Sequence, residues 1–323
     1  MNEPVISVAN LSYRYGTFTA VDAISFQVQK GEIFAFLGPN GAGKSTVINV
    51  LITLLALQEG SVIVAGHDLQ RDPAGVREAI GIVFQEITLD RDMTAWEILE
   101  FHGRLYALPK EERRKRIDEL LALVELEGKR DAYVKELSGG MKRRLEIARG
   151  LMTRPKVLFL DEPTLGLDPQ TRIRMWEYLR DVNREGTTIF LTTHYMDEAD
   201  QLSNRISIID HGRIIATGKP WELKNALGED IIYLETADND AAMQILDGDE
   251  RVRSVRRTKR GLLAMVHGDG TQLLPALLDG IHDAGLKVTA VNLKKPSMDD
   301  VFVHFTGREL REEGPARHMV RRR

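Results

Sequence analysis

Gly38-Pro39-Asn40-Gly41-Ala42-Gly43-Lys44-Ser45 matches the phosphate-binding loop pattern G-x-x-x-x-G-K-[ST]. Its glycines let the chain curl so that successive N–H groups point inward at phosphate oxygens. A helix starting at its end adds the positive pole of its dipole. Lys44 is expected to reach the β- and γ-phosphates of a nucleotide, Ser45 to hold Mg²⁺, and Thr46 to add a further phosphate hydrogen bond. The flanks agree: Ile33 to Leu37 is a short apolar strand running into the loop, and residues 44 to 55 read as a mostly apolar helix. That context distinguishes a phosphate cradle from a Gly-rich turn without a ligand.

Before the loop, residues 5 to 37 alternate apolar and polar positions, as in Ala23-Ile24-Ser25-Phe26-Gln27-Val28, and predict half-buried antiparallel strands. Ser61 to Ala65 reads as another strand. From Gln85 to Pro155 the pattern is helical, with Ile117, Leu120, Leu121 and Val124 on one apolar stripe. The basic cluster Arg113 to Arg116, beside Glu111 and Glu112, is expected to be a solvated helix face. Val157 to Leu160, Thr187 to Thr192 and Ile206 to Ile209 are apolar enough for buried parallel strands, and Arg213 to Ala216 follows as a fourth. The first of these ends in Asp161-Glu162-Pro163. A parallel strand delivers its C-terminal end to the ligand crevice of an α/β sheet. Asp161 there suits a Mg²⁺ ion that keeps several waters, and Glu162 suits a general base for the attacking water.

Leu137-Ser138-Gly139-Gly140-Met141 opens a predicted helix, Lys142 to Leu151, and resembles the signature sequence of ABC ATPases. The resemblance implies that Ser138, Gly139 and Gly140 close over the γ-phosphate of ATP bound to the other protomer of a dimer. Met141 stands where the family usually has Gln, a variant similar to drug-exporting members. Other positions carry the same likeness. Tyr15 resembles the aromatic residue that stacks on adenine, with Tyr13 as the other candidate, and Gln85 the glutamine that senses Mg²⁺ and the attacking water. Leu165-Gly166-Leu167-Asp168 resembles the loop that crosses the dimer interface, and His194 the switch histidine at the γ-phosphate. The implied cofactors are ATP and Mg²⁺, and the implied fold is an α/β P-loop ABC ATPase domain over residues 1–225. That domain comprises a RecA-like parallel core, an antiparallel β subdomain and an α-helical subdomain at about 86–155.

Residues 231 to 305 predict a second, smaller domain. Strands at Ile231 to Glu235, Val252 to Thr258, Leu262 to Val266 and 287 to 293, with helices at 240 to 246 and 271 to 284, give the order βαββαβ. That order points to a ferredoxin-like α+β fold. Pro296 to Phe302 and Phe305-Thr306-Gly307 resemble the C-terminal extension of the daunorubicin-resistance (multidrug) exporter ATPases, with nodulation-factor and other polysaccharide or lipid exporter ATPases as a close alternative. A disordered basic tail, 308 to 323, is expected after it.

With 44 Lys plus Arg against 48 Asp plus Glu, the net charge of −4 gives no sign of a nucleic-acid binder. The absence of Cys excludes disulfides and thiolate metal sites. Met1 to Val5 carry no basic n-region and no apolar h-region, so no secretory signal is expected, and no apolar run approaches the roughly 18 residues of a membrane span. The family resemblance therefore implies a membrane role through a separate permease subunit. The chain would be a peripheral homodimer at the cytoplasmic face of the cell membrane, and the segment Thr88 to Trp96, with Met93, Trp96 and Ile98, would dock that partner. The alternative is a soluble ABC ATPase acting on ribosome or DNA. Ribosome-type members usually carry two phosphate loops per chain, whereas this chain has one, and DNA-repair members insert long coiled coils that are missing here. A regulator that no longer hydrolyses ATP is disfavoured by the presence of both Glu162 and His194.

Overall fold

The computed structural model describes residues 4–227 and 230–307, and the expected basic tail lies outside them. The chain divides into two compact units, one ending at Lys219 and one beginning at Pro220.

In the first unit, β1 (Pro4–Tyr15) and β2 (Phe18–Gln29) form an antiparallel hairpin. Gly16, at φ 58°, supplies the left-handed residue of its turn. β3 (Ile33–Leu37) leads through the Gly-rich loop into α1 (Lys44–Leu51). This helix is shorter than expected: Thr53 takes φ 66° and turns the chain out of it. β4 (Glu59–Val64) and β5 (His67–Asp68) complete a four-stranded antiparallel sheet in the order β2-β1-β4-β5. α2 (Pro73–Ala79) and β6 (Ile80–Val83) then return to the core. Next come the helices α3 (Ala95–Leu105), α4 (Lys110–Leu123) and α5 (Gly139–Gly150). The unit closes with β7 (Val157–Asp161), α6 (Pro169–Arg184), β8 (Thr188–Thr193), α7 (Met196–Leu202), β9 (Arg205–Asp210) and β10 (Arg213–Gly218).

The core sheet runs β10-β9-β3-β8-β7-β6, parallel except for β10. β3, β7 and β8 are buried at every residue, as expected of a sheet covered on both faces. The register pairs Phe34 with Phe190 and Phe159 with Phe190. Phe26 of the antiparallel sheet lies 5.7 Å from Phe34, 5.4 Å from Phe36 and 6.0 Å from Phe190, centroid to centroid. These rings join the two sheets, each such pair contributing about 0.5–1.5 kcal/mol beyond the area it buries.

In the second unit, α8 (Pro220–Asn225) precedes β11 (Asp230–Thr236), α9 (Asn239–Asp247), β12 (Val252–Arg257), β13 (Leu262–Val266), α10 (Gly270–Asp283) and β14 (Val288–Lys294). The sheet order β12-β13-β11-β14, antiparallel throughout, is the ferredoxin-like arrangement. Ile232 and Leu234 pack with Leu246, Leu277 and Ile281 in its core. α11 (Met298–Thr306), for which the sequence reading gave no helix, starts at a reciprocal Ser297–Asp300 capping box and ends at Gly307, φ 73°.

Arg113 and Arg116 do not belong to a solvated face. The Arg113 side chain is 8% exposed and forms a bidentate pair with Glu100, Nε to Oε2 at 2.7 Å and Nη2 to Oε1 at 2.8 Å. Gly103 leaves the room, since a Cβ there would stand 2.5 Å from Arg113 Cδ. Arg116, 12% exposed, donates to Leu151 O at 3.0 Å. Only Arg114 and Lys115 of the cluster face solvent. Ile98, assigned to a docking surface, is 6% exposed and belongs to the interior.

Hydrogen bonding to Arg113 outweighs burial and, with Arg104, holds the Glu100 carboxyl at about 2, against an ordinary 4.5. A depressed carboxylate contributes stability that is fully present above the unfolded value and lost as pH falls through the folded one. Glu100→Gln should therefore lower the urea midpoint at pH 7. Its deficit against wild type should shrink as pH drops from 4.5 towards about 2. A pH-independent deficit in urea titrations would contradict this pairing.

Candidate active site

Gly38 enters the loop with its N–H donated to Thr193 O at 3.2 Å. A Cβ on Gly38 would meet Ile209 O at 2.3 Å, so only glycine fits between β3 and β9. Gly43 is the N-cap of α1 at φ 106°, and a Cβ there would meet Ala20 O at 2.6 Å. Lys44 follows directly and is 5% exposed. Its ammonium donates to Gly38 O at 2.7 Å and Pro39 O at 3.1 Å and stands 3.3 Å from Glu162 Oε1. Burial pulls the Lys44 pKa below the usual lysine range, and Glu162 works against that pull.

Glu162 follows β7 at φ 48°, a left-handed conformation unusual for a residue with a side chain. Its Oε2 lies 2.7 Å from His194 Nδ1. Burial raises the Glu162 pKa, but the His194 hydrogen bond and the Lys44 charge more than offset it, so the carboxyl titrates below its ordinary value. Thr192, fully buried in β8, accepts from Glu162 N at 3.1 Å and donates to Asp161 Oδ1. Asp161 Oδ1 is also 3.5 Å from Ser45 Oγ. The C-terminal ends of β3, β7 and β8 thus bring Lys44, Ser45, Asp161, Glu162 and His194 to one place.

A cleft of about 400 Å³ opens above them, within the range of small-ligand sites. Its walls include Asn40, Gly41, Ser45, Thr46, Gln85 and Glu162. Tyr15, 49% exposed, stands at its rim, whereas Tyr13 is 9% exposed and supports Tyr15 edge-on at 5.0 Å. Phe18 was missed by the sequence reading. It is 63% exposed, lines the same cleft and pairs with Tyr15 across the hairpin. An aromatic residue on the far side of the Gly16 turn was the available signal.

Ser138, Gly139, Gly140 and Asp168 do not join this cleft. Ser138 is the N-cap of α5, accepting from Met141 N at 3.3 Å, so that helix starts at Gly139 rather than Lys142. Asp168 caps α6 in the same way through Thr171 N at 3.0 Å and accepts from Thr171 Oγ1 at 2.6 Å. A Cβ on Gly140 would meet Thr171 Cγ2 at 2.5 Å, so the starts of α5 and α6 lie side by side.

A glycine-lined loop at a helix start, a buried lysine and an acidic strand end define a P-loop nucleotide-binding site. The family models narrow the class. Residues 21–165 match the ABC transporter model, and residues 218–306 match that of the C-terminal domain of DrrA1-3-like ATP-binding proteins. The chain is 40% identical to the daunorubicin resistance ATP-binding protein DrrA3 of Streptomyces coeruleorubidus over 96% of its own length and 98% of that protein's. It is also 40% identical to the Nod factor export ATP-binding protein I of Ralstonia nicotianae, over 96% of both chains. Among solved structures, cbiO1 of Clostridium perfringens, part of the ABC transporter complex cbiONQ, superposes with TM-score 0.65 at 32% identity, covering 69% of this chain and 91% of that one. A dimeric ATP-binding cassette in a post-hydrolysis state, bound to ADP and Pi, superposes with TM-score 0.60 at 30% identity, covering 67% and 98%. The chain belongs to the ABC transporter family. It is an ATP-binding, ATP-hydrolysing subunit of the type that carries a DrrA-like C-terminal domain.

The backbone at Gly43 sets the cradle's shape. Gly43→Ala should weaken ATP binding by about fivefold to about 150-fold, as expected for strain of about 1–3 kcal/mol at such a position. Fluorescent-nucleotide titration of the folded variant measures it, and wild-type affinity would contradict the role given to that φ angle.

Proposed function

We propose that this chain drives export of a drug-like or lipid-like substrate through a separate membrane permease, by ATP-dependent closure of a homodimer whose two sites are shared. The observation that carries the proposal is the convergence of Lys44, Glu162 and His194 within 3.3 Å contacts beneath a cleft with an aromatic rim. The export direction is supported by the relatives, whose names speak of daunorubicin resistance and Nod factor export. Among the described residues no helix is long and apolar enough to cross a membrane. In this reading the chain is a peripheral subunit at the cytoplasmic face, reaching the membrane through its partner.

The site residues take the following roles in this reading. Tyr15 stacks on the adenine, and Gly38 to Gly43 present backbone N–H groups to the phosphates. Thr46 adds a hydrogen bond, and Lys44 neutralises charge on the transferring phosphoryl group. The paired oxygens Ser45 Oγ and Asp161 Oδ1, 3.5 Å apart, suit Mg²⁺, which takes few protein ligands and shares phosphate oxygens. Ser45, Asp161 and Gln85 would hold the ion, which when bound neutralises charge between the phosphates. Glu162 orients the attacking water and accepts its proton. A γ-phosphate that draws Lys44 away from Glu162 also removes a cation that depresses its pKa, so Glu162 becomes more basic as substrate arrives. His194 holds Glu162 in place and faces the γ-phosphate. Ser138, Gly139, Gly140 and Asp168 act on the nucleotide of the partner protomer, which fits their position outside this chain's own cleft.

Glu162→Gln should keep ATP affinity and lose most turnover, at least about a hundredfold. Near-wild-type hydrolysis would remove Glu162 from the role of base.

The docking surface for the permease is best supplied by α3. Trp96 is half-buried beneath Arg130, 5.7 Å from its ring centroid, whereas Phe101 and Leu105 are 59% and 69% exposed one helical turn apart. Exposed apolar side chains at i and i+4 fit the apolar face of a cytoplasmic helix. Phe101→Asp with Leu105→Asp should abolish co-purification of a multi-span membrane protein from detergent extracts while ATP binding is kept. Undiminished co-purification would place docking elsewhere.

A further inference from the structure

Arg143, on the second turn of α5, is 4% exposed. A guanidinium has five N–H donors in a fixed fork, and each has an acceptor here. Nε donates to Pro163 O at 2.8 Å, Nη1 to Phe84 O and to Glu146 Oε2 at 3.0 Å, and Nη2 to Asp161 O at 3.0 Å and Glu162 O at 3.1 Å. Four of these acceptors are backbone carbonyls from two separate segments. Phe84 immediately precedes Gln85, and Asp161 to Pro163 form the turn that presents the Glu162 side chain.

The same helix holds the other end of the Gln85 segment. Glu146, fully buried, accepts from Thr88 N at 2.8 Å and Thr88 Oγ1 at 3.3 Å, and Arg149 donates to Thr88 Oγ1 at 2.8 Å. Residues 85–87, all exposed, are therefore a short loop pinned on both sides to α5. At the other contact, Glu162 occupies its left-handed conformation with its own carbonyl and both neighbouring carbonyls turned to one guanidinium. The helix that carries this guanidinium begins at Ser138, Gly139 and Gly140.

We propose that Arg143 is a positioning residue that sets Gln85 and Glu162 relative to α5, so that contacts made at the start of that helix are felt at this chain's own hydrolytic groups. The inference rests on the roles given above to Gln85 and Glu162. Arg143 reaches the chemistry only through the backbone it holds.

Arg143→Lys tests it, because an ammonium keeps the charge but offers three donors from one point and cannot span both segments. In the full chain, ATP affinity and KM should stay within about threefold of wild type while kcat falls by at least about tenfold. The Hill coefficient for ATP should fall towards that of independent sites. Glu146→Gln, which loosens Arg143 without removing it, should give a smaller loss of kcat with the same unchanged KM, and it serves if the lysine variant fails to fold. Wild-type kcat in both folded variants would overturn the inference. So would parallel losses of kcat, ATP affinity and melting temperature, which mark a purely structural residue. Glu162→Gln run alongside separates the two readings. An inactive Glu162→Gln beside a fully active Arg143→Lys removes this inference alone, and a fully active Glu162→Gln removes both.

Discussion

A lysine ammonium that is 5% exposed must have a negative neighbour or a dense set of acceptors, because the desolvation of an isolated charge is not otherwise offset. Lys44 finds both, in two loop carbonyls and in Glu162. That requirement fixes the rest of the site. Lys44 starts the helix after β3, Glu162 follows β7, and His194 follows β8, the strand between them. The parallel order of the core sheet brings three C-terminal ends together, and the Phe26, Phe34, Phe36 and Phe190 rings lock the antiparallel sheet against it. The hairpin carrying Tyr15 and Phe18 is thereby held over the phosphate loop.

The helical segment uses buried charge differently. Glu100 with Arg113 joins α3 to α4 through a bidentate pair, whereas Arg143 and Glu146 on α5 spend their hydrogen bonds on backbone near the site. The first arrangement stabilises a helix pair. The second ties the geometry of the proposed hydrolytic groups to a helix whose first residues face outward.

The strand-loop-helix around Lys44, the apolar strand ending at Asp161 and the βαββαβ order after residue 230 were legible in the sequence, because each rests on short-range periodicity and turn chemistry that tertiary contacts do not override. Three features were not. Composition cannot tell which arginine of Arg113 to Arg116 turns inward; that depends on Gly103 in another helix leaving space for it. Ile98 reads as surface or core with equal ease until the packing partner is known. Arg143 sits in a run of basic residues, Lys142 to Arg144, and nothing local reveals that its acceptors come from segments about 60 residues before it and 20 after it. The phosphate site was readable because its chemistry is local, and the network holding it was not because its partners are distant in sequence.

The central proposal, that each site is shared between two copies, is tested most directly by mixing two inactive variants. Lys44→Ala disables the phosphate loop and Ser138→Arg blocks the start of α5. In a symmetric dimer with shared sites, a mixed pair puts both defects in one site and leaves the other intact. ATPase activity should then return to about a quarter of wild type when equal amounts are mixed, since half the dimers are mixed and each regains one of two sites. Activity that stays at the level of the separate variants, with mixed dimers present, would contradict the account and confine each site to a single chain.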